Sequence, residues 1–263
     1  MNLTLNGLQP YQHESLIRCG AKNDGGYLVP SNINADLLIS LGLGDSWQFE
    51  IDLIKNNQVK KFFVFDHTVD PRKLLMKIFT RLNPGKFHLQ ALIYRLFVLI
   101  NCLRYFLFSQ STHIRKKVSR DGSKSNEKEI NLIEIFDKFV ESPTTTIILK
   151  IDIEGSEYEI IEQILNLSKQ ILLLVIEFHD IHKQCEKFLN NLNQLKSKYV
   201  LIHSHWNNYS KIDVNYIPDA VEFTFINDYL YLGNKKVEKL PLSGLDSPST
   251  QMRPDYSIKF LKY

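Results

Sequence analysis

The chain has 263 residues, of which 44% are apolar and 23% charged. This balance excludes a disordered tail, which needs low hydrophobicity and high net charge, and the scarcity of Gly (11) and Pro (9) excludes collagen-like and linker-like chains. With 32 basic and 29 acidic residues the net charge is +3, which gives no general case for nucleic-acid binding.

Met1 to Pro10 carries neither a basic leader nor an apolar run, so no signal peptide is expected. Cys19, Cys102 and Cys185 are odd in number and far apart, with no CxxC pair. That pattern points away from a disulfide framework or zinc knuckle and toward a reducing, cytoplasmic setting.

In chain order, Asp24-Gly25-Gly26-Tyr27 reads either as a simple turn or as an N-terminal flap over a ligand, with Tyr27 as its anchor. Leu37–Leu41 is the first expected strand, and Gly42-Leu43-Gly44-Asp45-Ser46 follows it. Glycines after a strand let backbone approach a ligand, and the helix expected over Trp47–Asn56, which contains Glu50, offers free N–H groups at its start. Trp47 stands where a dinucleotide fingerprint has its third glycine, which favours a smaller nucleoside ligand. Lys61–Phe65 is the second strand. Asp66 at its tip reads as a turn-capping acid or, at this distance from the glycines, as an acid for two ribose hydroxyls.

Residues 70–120 break the rhythm. Two helices are expected, Pro71–Leu82 and Phe87–Phe108, followed by a basic segment. Ala91–Phe108 approaches spanning length, but Arg95, Asn101 and Arg104 interrupt it, so a buried or interfacial helix is expected instead of a transmembrane one. Eleven Lys and Arg lie between Asp70 and Asp121 with no acid among them. This is either a solvated helix face or a lid or docking surface for an anionic partner such as a phosphorylated carrier, a polysaccharide or a membrane headgroup.

Beyond it come a helix over Asn131–Val140, a strand over Ile147–Ile151, a helix over Glu157–Leu167 capped by Ser156, a strand over Ile171–Phe178 and a helix over His182–Ser197. Tyr199–His205 and Val221–Ile226 read as a closing antiparallel pair, with Tyr229–Leu232 as an extension or a strand of its own. The proline-bearing tail from Pro241 wraps the core, with Ile258–Leu261 packed down. Apolar strands alternating with amphipathic helices predict an α/β fold: a mostly parallel sheet covered by helices on both faces. Residues 1–263 are expected to form one domain, with 70–120 as a helical insertion within it.

Ligands of open α/β sheets sit outside the carboxyl ends of the strands. Asp152 and Glu154 lie where the Ile147 strand leaves the sheet, and Glu177 and His179 end the next one. Acid and imidazole groups should meet at one rim, with His205 at the end of a later strand and Asn207-Asn208 beside it as candidate substrate amides or a turn.

The runs LGLGDSWQFE at 41–50, LKIDIEGSEYEII at 149–161 and VIEFH at 175–179, with His203-Ser204-His205-Trp206-Asn207-Asn208, make the sequence resemble the FkbM family of S-adenosylmethionine-dependent methyltransferases. The resemblance implies a Rossmann-like, class I seven-stranded sheet and O-methylation of a sugar, glycan or glycolipid hydroxyl, as in polysaccharide biosynthesis. It places Gly42, Gly44 and Glu50 under the methionine part of the cofactor, Asp66 at the ribose, and Asp152 and Glu154 at the active-site rim. Asp24, Gly25, Tyr27, Asp45 and Ser46 join the candidate cofactor set.

The expected reaction needs a group to take the hydroxyl proton. His179 or His205 is the candidate base, oriented by Asp152 or Glu177. The alternative is a divalent cation held by Asp152, Glu177 and His179. Two rival readings remain: a catalytically silent relative that binds a partner or membrane through 70–120, and a Rossmann-type enzyme for NAD or a nucleotide sugar. A glycan or small-molecule acceptor is expected, with no nucleic acid and no transmembrane segment but a peripheral membrane contact.

Overall fold

A computed structural model describes residues 5–44, 46–56, 58–80, 89–124, 126–210, 212 and 217–260. Asp45, residues 81–88 and Leu261 lie outside the described residues, and with them parts of four sequence expectations: the loop acid, the end of the first insertion helix, the start of the second and the end of the Ile258–Leu261 segment.

The strands are β1 (Leu16–Gly20), β2 (Gly26–Pro30), β3 (Ala35–Leu41), β4 (Val59–Phe65), β5 (His113–Ile114), β6 (Lys117–Val118), β7 (Glu129–Ile130), β8 (Ile147–Ile151), β9 (Ile171–Phe178), β10 (Tyr199–Trp206), β11 (Val221–Asn227), β12 (Lys239–Leu240) and β13 (Ile258–Lys259). The helices are α1 (Gln48–Lys55), α2 (Pro71–Thr80), α3 (Leu89–Thr112), α4 (Leu132–Phe139), α5 (Ile161–Asn166) and α6 (Cys185–Leu195).

Seven strands form the main sheet in the order β10-β11-β9-β8-β3-β4-β5. All pairings from β9 to β5 are parallel, and β11 runs antiparallel to both β9 and β10. The chain order reverses beside β3, between β8 and β4, which is the position where such sheets open a ligand crevice. The apolar runs explain the burial. All eight residues of β9 are buried, and each large aliphatic side chain there contributes on the order of 1.5–3 kcal/mol by leaving water.

Alternate residues of each strand feed two cores. Ile39, Leu149 and Ile176 point into one, with α4, α5 and α6, while Leu38, Ile148 and Val175 point into the other, with α1, α3 and the β1–β2 hairpin. The helix after Asn131 is held by a complete capping box, with the Asn131 side chain accepting from Glu134 N–H and the Glu134 side chain accepting in return.

Four local expectations change. Asp24 to Tyr27 does not precede the first strand but closes the β1–β2 hairpin, a pairing whose short, half-buried strand carried no clear periodic signal. Glu157–Leu167 is a 3₁₀ turn over Glu157–Glu159 followed by α5, and Ser156 makes no side-chain cap. Tyr229–Leu232 is not a strand: a 3₁₀ turn spans Asp228–Leu230. The second insertion helix extends to Thr112, because the edge strand β5 takes up the chain only at His113. No described helix is long and apolar enough to cross a membrane.

Candidate active site

Strand register lays a line of polar side chains along the carboxyl edge of the sheet, on the face covered by the hairpin. Ser40 of β3 pairs with Lys150 of β8; Glu177 of β9 pairs with Glu222 of β11, which pairs with His205 of β10. Ser40, Lys150 and Glu177 each follow an apolar residue, Leu38, Ile148 and Val175, two positions back, so the hydrophobic pattern that fixes the register of these strands also fixes this part of the line.

Lys150 is its centre. The ammonium is buried, donates to Gly42 O at 3.0 Å, and lies 3.6 Å from Asp152 Oδ2 and 5.6 Å from the centre of the Tyr27 ring. Burial opposes its charge, but Asp152, Glu50 and Glu177 outweigh that and raise its pKa. Tyr27 O–H donates to the same Asp152 oxygen at 3.2 Å. Beneath the loop, buried Glu50 accepts from Ser40 Oγ at 2.7 Å, and burial raises its pKa despite Lys150. Glu50 therefore reaches the glycine loop through Lys150 and Ser40, from below.

The glycine loop is tightly confined at one residue. Gly42 has φ +83°, and a Cβ there would stand 1.7 Å from Asp152 O. Gly44 has φ +59° with open space beyond it. Asp66 binds the same loop: Oδ2 accepts from Leu43 N–H (2.8 Å) and Gly44 N–H (3.3 Å), and Oδ1 from Thr68 N–H, Thr68 Oγ1 and Val69 N–H. Burial pushes the Asp66 pKa up, but these donors overcome it and hold it low. A carboxylate offers about four lone-pair positions, so a ribose would meet Asp66 by exchange with one of these donors.

The second cluster grows from the turn after β8. Glu154 (φ +53°) and Gly155 (φ +99°) take left-handed backbone, and Glu157 folds back so that its carboxylate accepts from Ile153 and Gly155 N–H groups at 3.0–3.1 Å. Its Oε1 also lies 3.0 Å from His179 Nδ1. This fixes the imidazole with Nε2 turned toward Glu177 (3.7 Å), Asp152 (3.8 Å) and Glu154 (3.8 Å). Burial disfavours the charged ring, but Glu157, Glu177 and Asp152 prevail and lift its pKa to about 10. Glu177, buried beside Asp152 and Glu222, is pushed well above the ordinary range, and burial with Glu222 and Asp152 raises Asp24 to about 6.

His205 is placed differently from His179. It is buried, with Nδ1 3.2 Å from Glu222 and Nε2 3.1 Å from Asp255; burial opposes its charge, but these acids lift its pKa to about 11. Both ring nitrogens are engaged within the protein. Asn207 donates to Glu177 at 3.0 Å and accepts from Tyr209 N–H. Asn208 holds the tail, donating to Thr250, Arg253 and Pro254 carbonyls and accepting from Thr250 N–H, so its amide is spent inside the fold. Ser46 accepts from Gln48 N–H at the start of α1, and Gly25 shapes the hairpin turn with φ +82°.

A cavity opens between the two clusters. Its walls include Gly42, Gly44, Asp66, Thr68, Lys116, Lys117, Val118, Asp152, Ile153 and Glu154. Backbone glycine on one side, apolar side chains on another and acids at the rim fit a nucleoside joined to a charged amino-acid tail. Two sets of three groups among the described residues bring potential ligand atoms within 4.8 Å of one another: Asp152, Glu154 and His179, and Asp24, Glu177 and Glu222. Glu177 thus falls in a different set from Asp152 and His179, with which the sequence reading had grouped it.

Sequence reasoning missed Lys150, Glu157, Glu222 and Asp255. A lysine inside the apolar run IILKI was a visible signal, since a charge in a strand covered on both faces needs a buried partner. Glu222 and Asp255 gave no local signal.

The Methyltransferase FkbM domain matches residues 29–230. The chain belongs to this family of methyltransferases, and its seven strands form the family's Rossmann-like α/β sheet. Among solved structures, M. capricolum TrmK in complex with S-adenosyl-homocysteine is similar at 15% identity, with 75% of this chain and 65% of that chain covered and a TM-score of 0.36. Streptococcus pneumoniae Sp1610 in complex with S-adenosyl-L-methionine is similar at 10% identity, with 81% and 71% covered and a TM-score of 0.37. The chain spans just under two thirds of the length of the first of these. No curated protein matches the sequence.

Two outcomes test this geometry. Lys150→Met leaves partly exposed Asp152 and buried Glu50 without their cation and should cost about 3–5 kcal/mol in urea unfolding, part of which Glu50→Gln restores in the double variant. His179 should titrate near pH 10 by NMR, and Glu157→Gln should move it down toward 6.5. Because the folded pKa lies above the unfolded 6.5, the stability gained from the imidazolium is complete below pH 6.5 and fades as the pH rises to about 10.

Proposed function

We propose that the chain is an S-adenosylmethionine-dependent O-methyltransferase for a hydroxyl of a sugar, glycan or glycolipid precursor, built as one domain with residues 70–120 as an insertion. One observation carries the reading: the confined Gly42–Gly44 loop and the His179 cluster border the same cavity, through Asp152 and Glu154. When bound, the cofactor supplies an electrophilic methyl group on a sulfonium cation. Gly42 and Gly44 would leave room for its backbone approach, Asp66 holds that loop and faces the ribose side, and Asp152 with Tyr27 sets the edge nearest the transferred group.

His179 is the proton acceptor in this reading. Its Nε2 lies 3.7–3.8 Å from three carboxylates, two of which, Asp152 and Glu154, line the cavity, whereas His205 has both nitrogens occupied. Glu157 holds Nδ1 and so keeps Nε2 directed at the acceptor hydroxyl. The same carboxylates hold a proton on the ring at neutral pH, so a cation bound beside it would lower its pKa and free Nε2 to act. Glu177 and Asp152 then steady the imidazolium that forms. Exposed Glu154 and partly exposed Asp152 can accept hydrogen bonds from a polyol. The acidic rim also disfavours a polyanionic acceptor such as RNA through like-charge repulsion.

Calorimetry should register S-adenosylmethionine binding to the wild type. His179→Ala should keep that affinity within about threefold and lower kcat by roughly 10²–10⁴-fold. Absence of cofactor binding, transfer to RNA in place of glycan hydroxyls, or near-normal turnover of His179→Ala would overturn the corresponding part of the proposal. The Asp152, Glu154 and His179 set favours a second version in which a divalent cation polarises the hydroxyl. Activity lost on chelation and restored by Mg²⁺ supports that version, and activity indifferent to chelator eliminates it.

A further inference from the structure

Helix α3 is apolar around most of its circumference, a pattern that marks a helix needing cover on every side. Among the described residues, one stripe finds cover within the fold. Val98, Cys102 and Tyr105 are buried, and the Tyr105 ring sits edge-on to Trp47 at 6.2 Å, which ties the helix to the core beside α1 and β4. The opposite side presents Ile93, Leu96, Ile100, Leu103, Phe106 and Leu107, each 47–77% exposed. From Ile93 to Leu107 this apolar strip runs about 21 Å along the helix.

Charge selects the occupant. Between Asp70 and Asp121 there are eleven Lys and Arg and no Asp or Glu. Arg72, Lys73, Lys116 and Arg120 are exposed or half-exposed on the segments flanking α3. Self-association through this face would oppose two strongly basic surfaces. An anionic bilayer offers both what the apolar side chains need and what the basic ones need. The buried stripe holds α3 against the domain, so it lies along the surface rather than through it, consistent with no described helix being able to cross.

We propose that the outward face of α3 and its flanking basic residues seat this chain on an anionic lipid surface, with α3 in the plane of the bilayer. The placement bears on the site. α3 runs directly into β5, the edge strand beside β4, and His113 of β5 contacts Asp66 O at 2.9 Å. Lys116 and Lys117, just beyond, form part of the cavity wall. A seated molecule therefore holds its cavity close to the headgroups, where an acceptor carried on a lipid would be presented. Lipid binding is measured without turnover, so this inference and the methyl-transfer reading can fail separately.

The test is co-sedimentation of the full chain with phosphatidylcholine vesicles, with and without phosphatidylglycerol. Binding should require phosphatidylglycerol and weaken as salt is raised. The triple variant Leu96→Glu, Ile100→Glu, Leu103→Glu should lose at least tenfold in vesicle affinity while keeping its circular dichroism spectrum and thermal midpoint. Arg72→Gln with Lys73→Gln, which leaves the apolar face intact, should weaken binding roughly thirtyfold. Protein that stays in the supernatant at every lipid concentration overturns the proposal. So does equal binding to vesicles lacking phosphatidylglycerol, or a dimer that the triple variant dissociates.

Discussion

The buried ammonium of Lys150 is the interaction on which the site rests. It joins the glycine loop, through Gly42 O, to the acid at the end of the neighbouring strand, Asp152, with Glu50 below and the Tyr27 ring alongside. A charge in a strand covered on both faces is tolerable only when its partners are already in place. The ion pair therefore couples three things that the chain brings from far apart: the loop after β3, the end of β8 and the N-terminal hairpin.

Around that cation the carboxyl edge is heavily acidic, and the protein manages the repulsion in two ways. Glu157 and Asp66 are neutralised locally by backbone N–H groups, which makes each the keystone of a turn. Glu177, Glu222 and Asp255 lie beside imidazoles, His179 on one side, which Glu157 also contacts, and His205 on the other. The two histidines look alike in the sequence, both near strand ends with acids nearby. They differ because β10 lies at the sheet edge under the C-terminal tail, which delivers Asp255 to the second nitrogen of His205, while His179 Nε2 lies 3.7–3.8 Å from Asp152, Glu154 and Glu177.

The insertion is joined to the site by Trp47. Its ring contacts Phe62, Tyr105 and His113, so the residue that replaces a third glycine is the post against which α3 is packed. Trp47 thus anchors the apolar helix and the edge strand β5, which leads into the cavity-wall residues Lys116, Lys117 and Val118.

The order of strands and helices was legible in the sequence because continuous apolar runs and 3.6-residue periodicity are local, and burial on both faces leaves them little alternative. The glycine loop, Asp66, and the Asp152–Glu154 and Glu177–His179 pairs were legible as strand-end residues for the same reason, although their places in the sequence did not assign them roles. The hairpin around Asp24 was not legible because β1 is short and half-buried, and the engagement of Asn208 with the tail and the partners Glu222 and Asp255 were not because each depends on contacts between segments tens of residues apart. Sequence alone determined the sheet and which residues stand at its carboxyl edge. Tertiary structure decided which of them face the cavity and which face each other, since hydrogen-bond capacity is used up by whichever partner the fold brings within 3 Å or so.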